Sequence, residues 1–139
     1  MTLYKIDEVA TACNLTKRTL RYYEEIGLVS PQRSDGGTRL YSQTDIDRLK
    51  KIINARDVLG FSLQELQHYV KVTEMLNDQR EQYRNTTDEE ERRQQLIEMN
   101  KTLDQQLHMV DEKLNRIYAF KADAELLRQR IQEGLAQLN

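Results

Sequence analysis

Four residues in one short stretch have the types and spacing to grip an anion. Lys17, Arg18, Arg21 and Tyr22 lie in "TKRTLRYYEEIG", Thr16 to Gly27. Steps of three and four put them on a single stripe of a helix. Their order does that helix no favour. Cations crowd its start while Glu24 and Glu25 sit at its end, the reverse of what the helix dipole prefers, at about 0.3–1 kcal/mol per charge. A phosphate at the helix start would offset this cost, because dipole and cations attract it together. The stripe is therefore charged for a partner, and Glu24 and Glu25 are expected to hold Arg21 and the scaffold. Tyr22 and Tyr23, being adjacent, diverge by about 100°. Tyr23 is expected in the core and Tyr22 outside, with its hydroxyl free for a phosphate or for water.

The neighbouring elements must aim that stripe. Asp7 is a candidate cap for a first helix, "DEVATAC", whose Val9, Ala10 and Cys13 share one face. Asn14 tolerates the left-handed conformation that ends a helix. Thr16 is a good N-cap for the second helix, and Leu15 and Leu20 stand at the two positions of a hydrophobic staple around it. Leu20 and Tyr23 then point inward, and Gly27 stops the helix. Two short helices, a tight turn and a basic second helix make a helix-turn-helix. Its second helix enters the major groove with its first residues nearest the bases.

Short extended runs flank Asp35-Gly36-Gly37 in "LVSPQRSDGGTRLY", a strong hairpin signal. This hairpin carries Arg33 and Arg39. A third helix is expected from a cap near Thr44, with Ile46, Leu49, Ile52 and Ile53 at core spacing and Leu59-Gly60 closing it. "SLQE", Ser62 to Glu65, is a capping box for a fourth helix with Leu63, Leu66, Tyr69 and Val70 on its apolar face. Residues 77–87 are polar and read as loop or frayed helix. "TDEE" from Thr87 reads as another capping box.

From there to Leu138 there is no Pro, and the one Gly is Gly134. Leu96, Leu103, Val110, Ile117, Ala124, Ile131 and Leu138 recur every seven residues, interleaved by Met99, Leu107, Leu114, Phe120, Leu127 and Leu135. This is a coiled-coil seam with one or two phase slips. About fifty helical residues reach ~75 Å. An apolar stripe that long needs a cover, and a second copy of the chain is the simplest one.

Composition closes off other classes. The 139 residues are 38% hydrophobic and 32% charged, lean for a compact globule and normal for helices that share a seam. The net charge of −2 hides an asymmetry. Residues 1–72 hold eleven Lys and Arg against nine Asp and Glu, whereas residues 73–139 hold ten against fourteen. That surplus is too small to argue for nucleic acid, so charge placement carries the case. The single Cys13 permits no internal disulfide and no zinc site, and is expected as a small core residue. His68 and His108 are isolated, with surface placement expected. There is no Ser/His/Asp, Cys/His or metal-spaced cluster, so neither catalysis, a metal nor another cofactor is expected. No stretch reads as a signal peptide or reaches the ~18 apolar residues of a membrane span, which makes cytoplasmic placement the default.

The first seventy residues closely resemble the DNA-binding domain of MerR-type bacterial transcription regulators. "TLRYYEEIGL", "GGTRLYS" and "LGFSLQEL", in this order and spacing, carry the resemblance. Asn14 stands where that family often has Gly. The resemblance implies a mainly α fold: a winged helix-turn-helix followed by a long coiled-coil helix that pairs antiparallel with its twin. It also implies a palindromic operator in an overlong promoter spacer, which the homodimer bends and untwists so that RNA polymerase can engage. Thr16, Lys17, Arg18 and Arg21 match recognition-helix positions, Tyr22 the phosphate-binding first tyrosine of "RYY", and Arg39 and Tyr41 the wing residues of "RLY". Backbone amides at the start of "SLQEL" would also meet phosphate.

Metal-sensing members carry paired cysteines in and after the dimer helix; none stands here. Drug-sensing members add a ligand domain for which the chain is too short. Tyr118 and Phe120 are either seam residues or the frame of a small-molecule effector site between subunits.

The expected organisation is a DNA-binding domain over 1–75, a polar connector over 76–87, and a coiled-coil dimerisation helix with a C-terminal extension over 88–139. Leu96, Leu103, Leu107, Val110, Leu114 and Ile117 are expected at the dimer seam. The expected function is a sequence-specific, homodimeric transcription regulator that remodels a promoter, nucleoid-associated when bound. The rivals are a coiled-coil interaction protein using its helix-turn-helix as a docking platform, and a simple repressor without remodelling.

Overall fold

The computed structural model describes residues 2–138. It has five helices and one small sheet: β1 (Tyr4–Lys5), α1 (Ile6–Cys13), α2 (Lys17–Glu25), β2 (Gln32–Arg33), β3 (Arg39–Tyr41), α3 (Gln43–Asp57), α4 (Leu63–Asn85) and α5 (Glu89–Gln137). The chain divides into two compact units, residues 1–74 and 75–139, with α4 beginning in the first and ending in the second.

In the first unit, Val9, Ala10 and Cys13 are buried as their spacing requires. The cap of α1 differs from expectation: Lys5, not Asp7, is the N-cap, and its N–H donates to Glu8 Oε1 at 3.2 Å. Asn14 ends α1 at φ 54°, ψ 44°, the left-handed conformation that its short polar side chain tolerates. The chain turns there, the Leu15 N–H donating to the Ala10 carbonyl at 2.9 Å. Thr16 caps α2, its Oγ1 accepting from the Thr19 N–H at 3.0 Å. Beyond α2, Gly27 adopts φ +84°, a conformation glycine reaches without steric cost.

The wing is the β2–β3 hairpin. Arg33 pairs with Arg39 and Gln32 with Leu40, around a turn in which Gly37 takes φ +83°. A third strand joins it that the sequence pattern did not announce: β1 pairs antiparallel with β3, Tyr4 opposite Tyr41. The cap of α3 is Ser42, in a reciprocal box with Asp45, rather than Thr44. Ile46, Leu49 and Ile52 are core, with Ile53 half-buried at its edge. The Ser62–Glu65 capping box forms as expected, with Leu66 and Val70 buried, Tyr69 half-buried and Leu63 exposed.

In the second unit, of the loop and frayed helix that the polar stretch left open, residues 77–85 are helix, the continuation of α4. Side chains from α5 support it. The Arg92 guanidinium lies 3.9 Å from the Tyr83 ring centre and donates to the Tyr83 and Thr86 carbonyls. Gln95 donates to Thr86 Oγ1 at 2.9 Å, and the buried Thr102 hydroxyl lies 3.9 Å from the Met75 sulfur. Asp88, one residue after Thr87, caps α5, accepting from the Glu91 N–H. The helix then runs 49 residues. Leu96, Leu103, Leu107, Leu114 and Ile117 on it are exposed, and Val110 is half-buried.

Candidate nucleic-acid interface

The outward stripe of α2 is where its spacing placed it. Lys17, Arg18, Arg21 and Tyr22 are all exposed, while Leu20 is fully buried and Tyr23 is 5% exposed. Arg18 and Arg21 have no hydrogen-bond or ion-pair partner among the described residues. The expectation that Glu24 and Glu25 hold Arg21 is therefore replaced by a different arrangement. Lys17 is paired with Asp7 at 2.6 Å, which ties the start of α2 to the start of α1. Both side chains are more than half exposed, so the pair contributes little stability and a phosphate can compete for the lysine.

Three contacts from behind fix the far end of α2. The Tyr23 hydroxyl accepts from Arg56 Nη1 at 2.5 Å. The Ile26 carbonyl accepts from Gln67 Nε2 at 3.1 Å, linking α2 to α4. Glu24 bonds two wing arginines at once, Oε2 accepting from Arg39 Nε at 2.5 Å and Oε1 from Arg33 Nη2 at 2.9 Å. The hydrogen bond from Arg39 is the main reason its carboxyl titrates below the usual range, with Arg33 adding to the shift and burial opposing it. A nine-residue helix is marginal alone; these contacts and the burial of Leu20 set its geometry.

In the wing, Arg39 is half-buried. Its Nε is committed to Glu24, while its two terminal nitrogens have no partner among the described residues. Arg33 also donates to the Gly37 carbonyl at 3.1 Å, holding the hairpin tip. Tyr41 requires a correction. It is fully buried, so its side chain cannot touch a phosphate from this position. Its place in the middle strand of the sheet, opposite Tyr4, makes it a core residue. Burial raises the pKa of its phenol, and the hydroxyl oxygen has no partner among the described residues.

Cys13 is buried as expected; burial raises its thiol pKa, against the lowering influence of Lys50. His68 and His108 are exposed, the latter 3.0 Å from Glu112. Among the described residues no cluster of three His, Cys, Asp or Glu could hold a metal ion, and no helix is long and apolar enough to cross a membrane. Tyr118 and Phe120 are exposed on α5.

Comparison with known proteins converges on one family. Residues 4–72 match the family profile described as MerR HTH family regulatory protein. The chain is 43% identical over 135 residues to the HTH-type transcriptional regulator YfmP of Bacillus subtilis, covering 96% of each. It is 40% identical over 72 residues to the mercuric resistance operon regulatory protein of Bacillus cereus, 51% of this chain and 54% of that one. Among solved structures, a MerR family transcriptional regulator from Bacillus thuringiensis superposes with TM-score 0.54 at 20% identity, covering 98% of this chain and 99% of that one. HiNmlR, described as a MerR family regulator lacking the sensor domain and bound to promoter DNA, gives TM-score 0.51 at 21% identity, covering 82% and 80%. These two likenesses concern the fold.

Proposed function

Because the chain belongs to the MerR family of helix-turn-helix regulatory proteins, a group of DNA-binding transcription regulators, we propose that it acts as a homodimer that bends and untwists a promoter spacer for RNA polymerase. The observation that carries the DNA-facing part of this reading is the exposed pair Arg18 and Arg21 on α2, without a partner among the described residues, beside the exposed Tyr22 and the competable Lys17. In this reading Thr16 caps the helix and turns its first amides toward the groove. Arg18 and Arg21 reach base edges or phosphate, Tyr22 offers its hydroxyl to phosphate, and the wing brings the terminal nitrogens of Arg39 to the backbone. At the start of α4 the capping box occupies the Ser62 and Glu65 amides. Leu63 and Gln64 are then the amides left for a phosphate.

Two properties of α5 support pairing with a second copy. Its apolar residues from Leu96 to Ile117 are largely uncovered within one chain. Its charge is also polarised: residues 89–112 hold seven acids against three bases, and residues 113–137 five bases against three acids. Antiparallel pairing brings opposite charges together, whereas parallel pairing sets like against like. This reading places the protein in the cytoplasm, nucleoid-associated when bound.

A DNase footprint over the DNA upstream of the protein's own gene and its neighbours tests the proposal. The expected result is a symmetric protected site between the −35 and −10 elements with hypersensitive cleavage at its centre. Symmetric protection without central hypersensitivity would favour repression without remodelling. No protection at low salt would favour the docking-platform reading. Arg18→Ala is expected to cost ~1–3 kcal/mol on the protected site and to relax its specificity. Identical titrations of wild type and variant on cognate and scrambled duplexes would remove Arg18 from the interface.

A further inference from the structure

The helix-turn-helix frame accounts for the cations on α2 but not for a carboxylate placed between α2 and the wing. Arg33 and Arg39 stand directly opposite each other on antiparallel strands, an arrangement in which like charges destabilise the sheet. Glu24 reaches both from α2, one oxygen to each, and its side chain is only 22% exposed. Three elements, α2, β2 and β3, thus meet at one carboxylate.

We propose that Glu24 is a positioning residue for DNA discrimination: by holding two wing cations in one geometry against the reading helix, it confines their attraction for phosphate to one duplex shape and register. The proposal rests on the DNA-binding reading above. Its physical basis is the difference between a held and a loose arginine. Phosphate attraction is sequence-independent. A mobile guanidinium can meet the backbone of any duplex, so it strengthens binding everywhere. Arg39, fixed through Nε, can contribute only where the backbone lies within reach of its terminal nitrogens, and Arg33, held through Nη2 by Glu24 and Nη1 by the Gly37 carbonyl, is committed until Glu24 lets go. Charge-assisted bonds at a partly buried carboxylate are strong enough to do the fixing, where an exposed pair such as Lys17–Asp7 is not.

The test uses the full chain and two duplexes, one selected from a random pool by the wild-type protein and one scrambled. Glu24→Gln is compared with Glu25→Gln, which removes the same charge one residue along from a side chain with no partner among the described residues. Release of the arginines is expected to steepen the salt dependence of scrambled-duplex binding by about 0.9 for each one that reaches a phosphate. It is also expected to lower the selected-to-scrambled affinity ratio roughly tenfold. Glu25→Gln should change neither salt slope nor ratio by that much. A merely structural role would weaken both duplexes alike with an unchanged slope, and that result overturns the proposal. So does a Glu24→Gln protein indistinguishable from Glu25→Gln. Should Glu24→Gln fail to fold, Glu24→Asp, which keeps the charge but draws it back by one methylene, takes its place with the same expected direction. If the wild-type protein selects no sequence and binds DNA without salt dependence, it is the DNA-binding reading that fails, and the selection experiment shows this before any variant is made.

Discussion

Replacing Val110 and Leu114 together by aspartate is expected to leave a monomer. Leu114 is exposed on the isolated chain, Val110 half-buried, and both sit midway along the apolar stripe of α5. In a paired coiled coil each would be a knob in a hole. Two aspartates per chain, four per dimer, would have to be desolvated there without partners, at a cost of several kcal/mol each. Antiparallel pairing also brings mid-helix positions of the two copies close together, so the new charges would repel one another. Sedimentation velocity should show the dimer boundary replaced by one at half the mass. Binding to a palindromic site should fall about 10²–10⁴-fold, because the second half-site is no longer held at high effective concentration. The first compact unit ends at Glu74, so its folding should be unchanged by circular dichroism. An intact dimer boundary would place the cover of α5 elsewhere.

Much of the first unit is legible locally. Thr16 as cap, Leu20 and Tyr23 inside, Asn14 in the left-handed turn and the Ser62–Glu65 box all depend on residues within a few positions of one another. Local chemistry of that kind is written directly in the sequence. The misplaced caps share one cause. Lys5 and Asp7, Ser42 and Thr44, Asp88 and Thr87 are near-adjacent pairs, and the choice within each depends on where the chain enters the helix. For α1 that entry is set by β1, whose two residues are too few for a periodicity and exist because β3 is there to pair with.

The remaining differences are non-local. Residues 77–85 read as either loop or frayed helix because they carry little apolar surface. They are helical alongside partners that come later in the sequence, Arg92 under Tyr83 and Gln95 against Thr86. Tyr41 looked like a wing contact because it and Arg39, two residues apart, match the wing residues of "RLY" in the family that the sequence resembles. Side chains alternate along a strand, so Arg39 and Tyr41 share a face of β3; position along the strand separates them, Arg39 staying half-buried at Glu24 while Tyr41, opposite Tyr4, is fully buried. The partners of Glu24 lie nine and fifteen residues away, across a turn, where a helix-based charge rule cannot find them. The charge order on α2, bases first and acids last, thus has two causes. Arg18 and Arg21 have no partner among the described residues and face outward, Lys17 has only the exposed Asp7, and Glu24 faces the wing.

Leu20→Ala is expected to be the most damaging single change in the reading helix, although Leu20 can touch no ligand. The side chain is fully buried at the centre of α2. Removing it forfeits transfer free energy and leaves a cavity, about 2–5 kcal/mol in cores of this kind. In a small unit with about 5–15 kcal/mol in hand, that is a large share of the total. Since ~1 kcal/mol shifts the melting temperature by about 4–8 °C in a domain of this size, the transition of the first unit should fall by at least about 8 °C. The contrast with Arg18→Ala separates the two roles a helix residue can have. Arg18→Ala should leave melting nearly unchanged and weaken binding in a sequence-dependent way. Leu20→Ala should lower melting and weaken binding to cognate and scrambled duplexes together, because fewer molecules present a formed helix. A Leu20→Ala protein that melts like wild type would mean that the Glu24, Arg56 and Gln67 contacts alone hold α2 in place, and that the burial of its inner face is incidental to the geometry of the stripe.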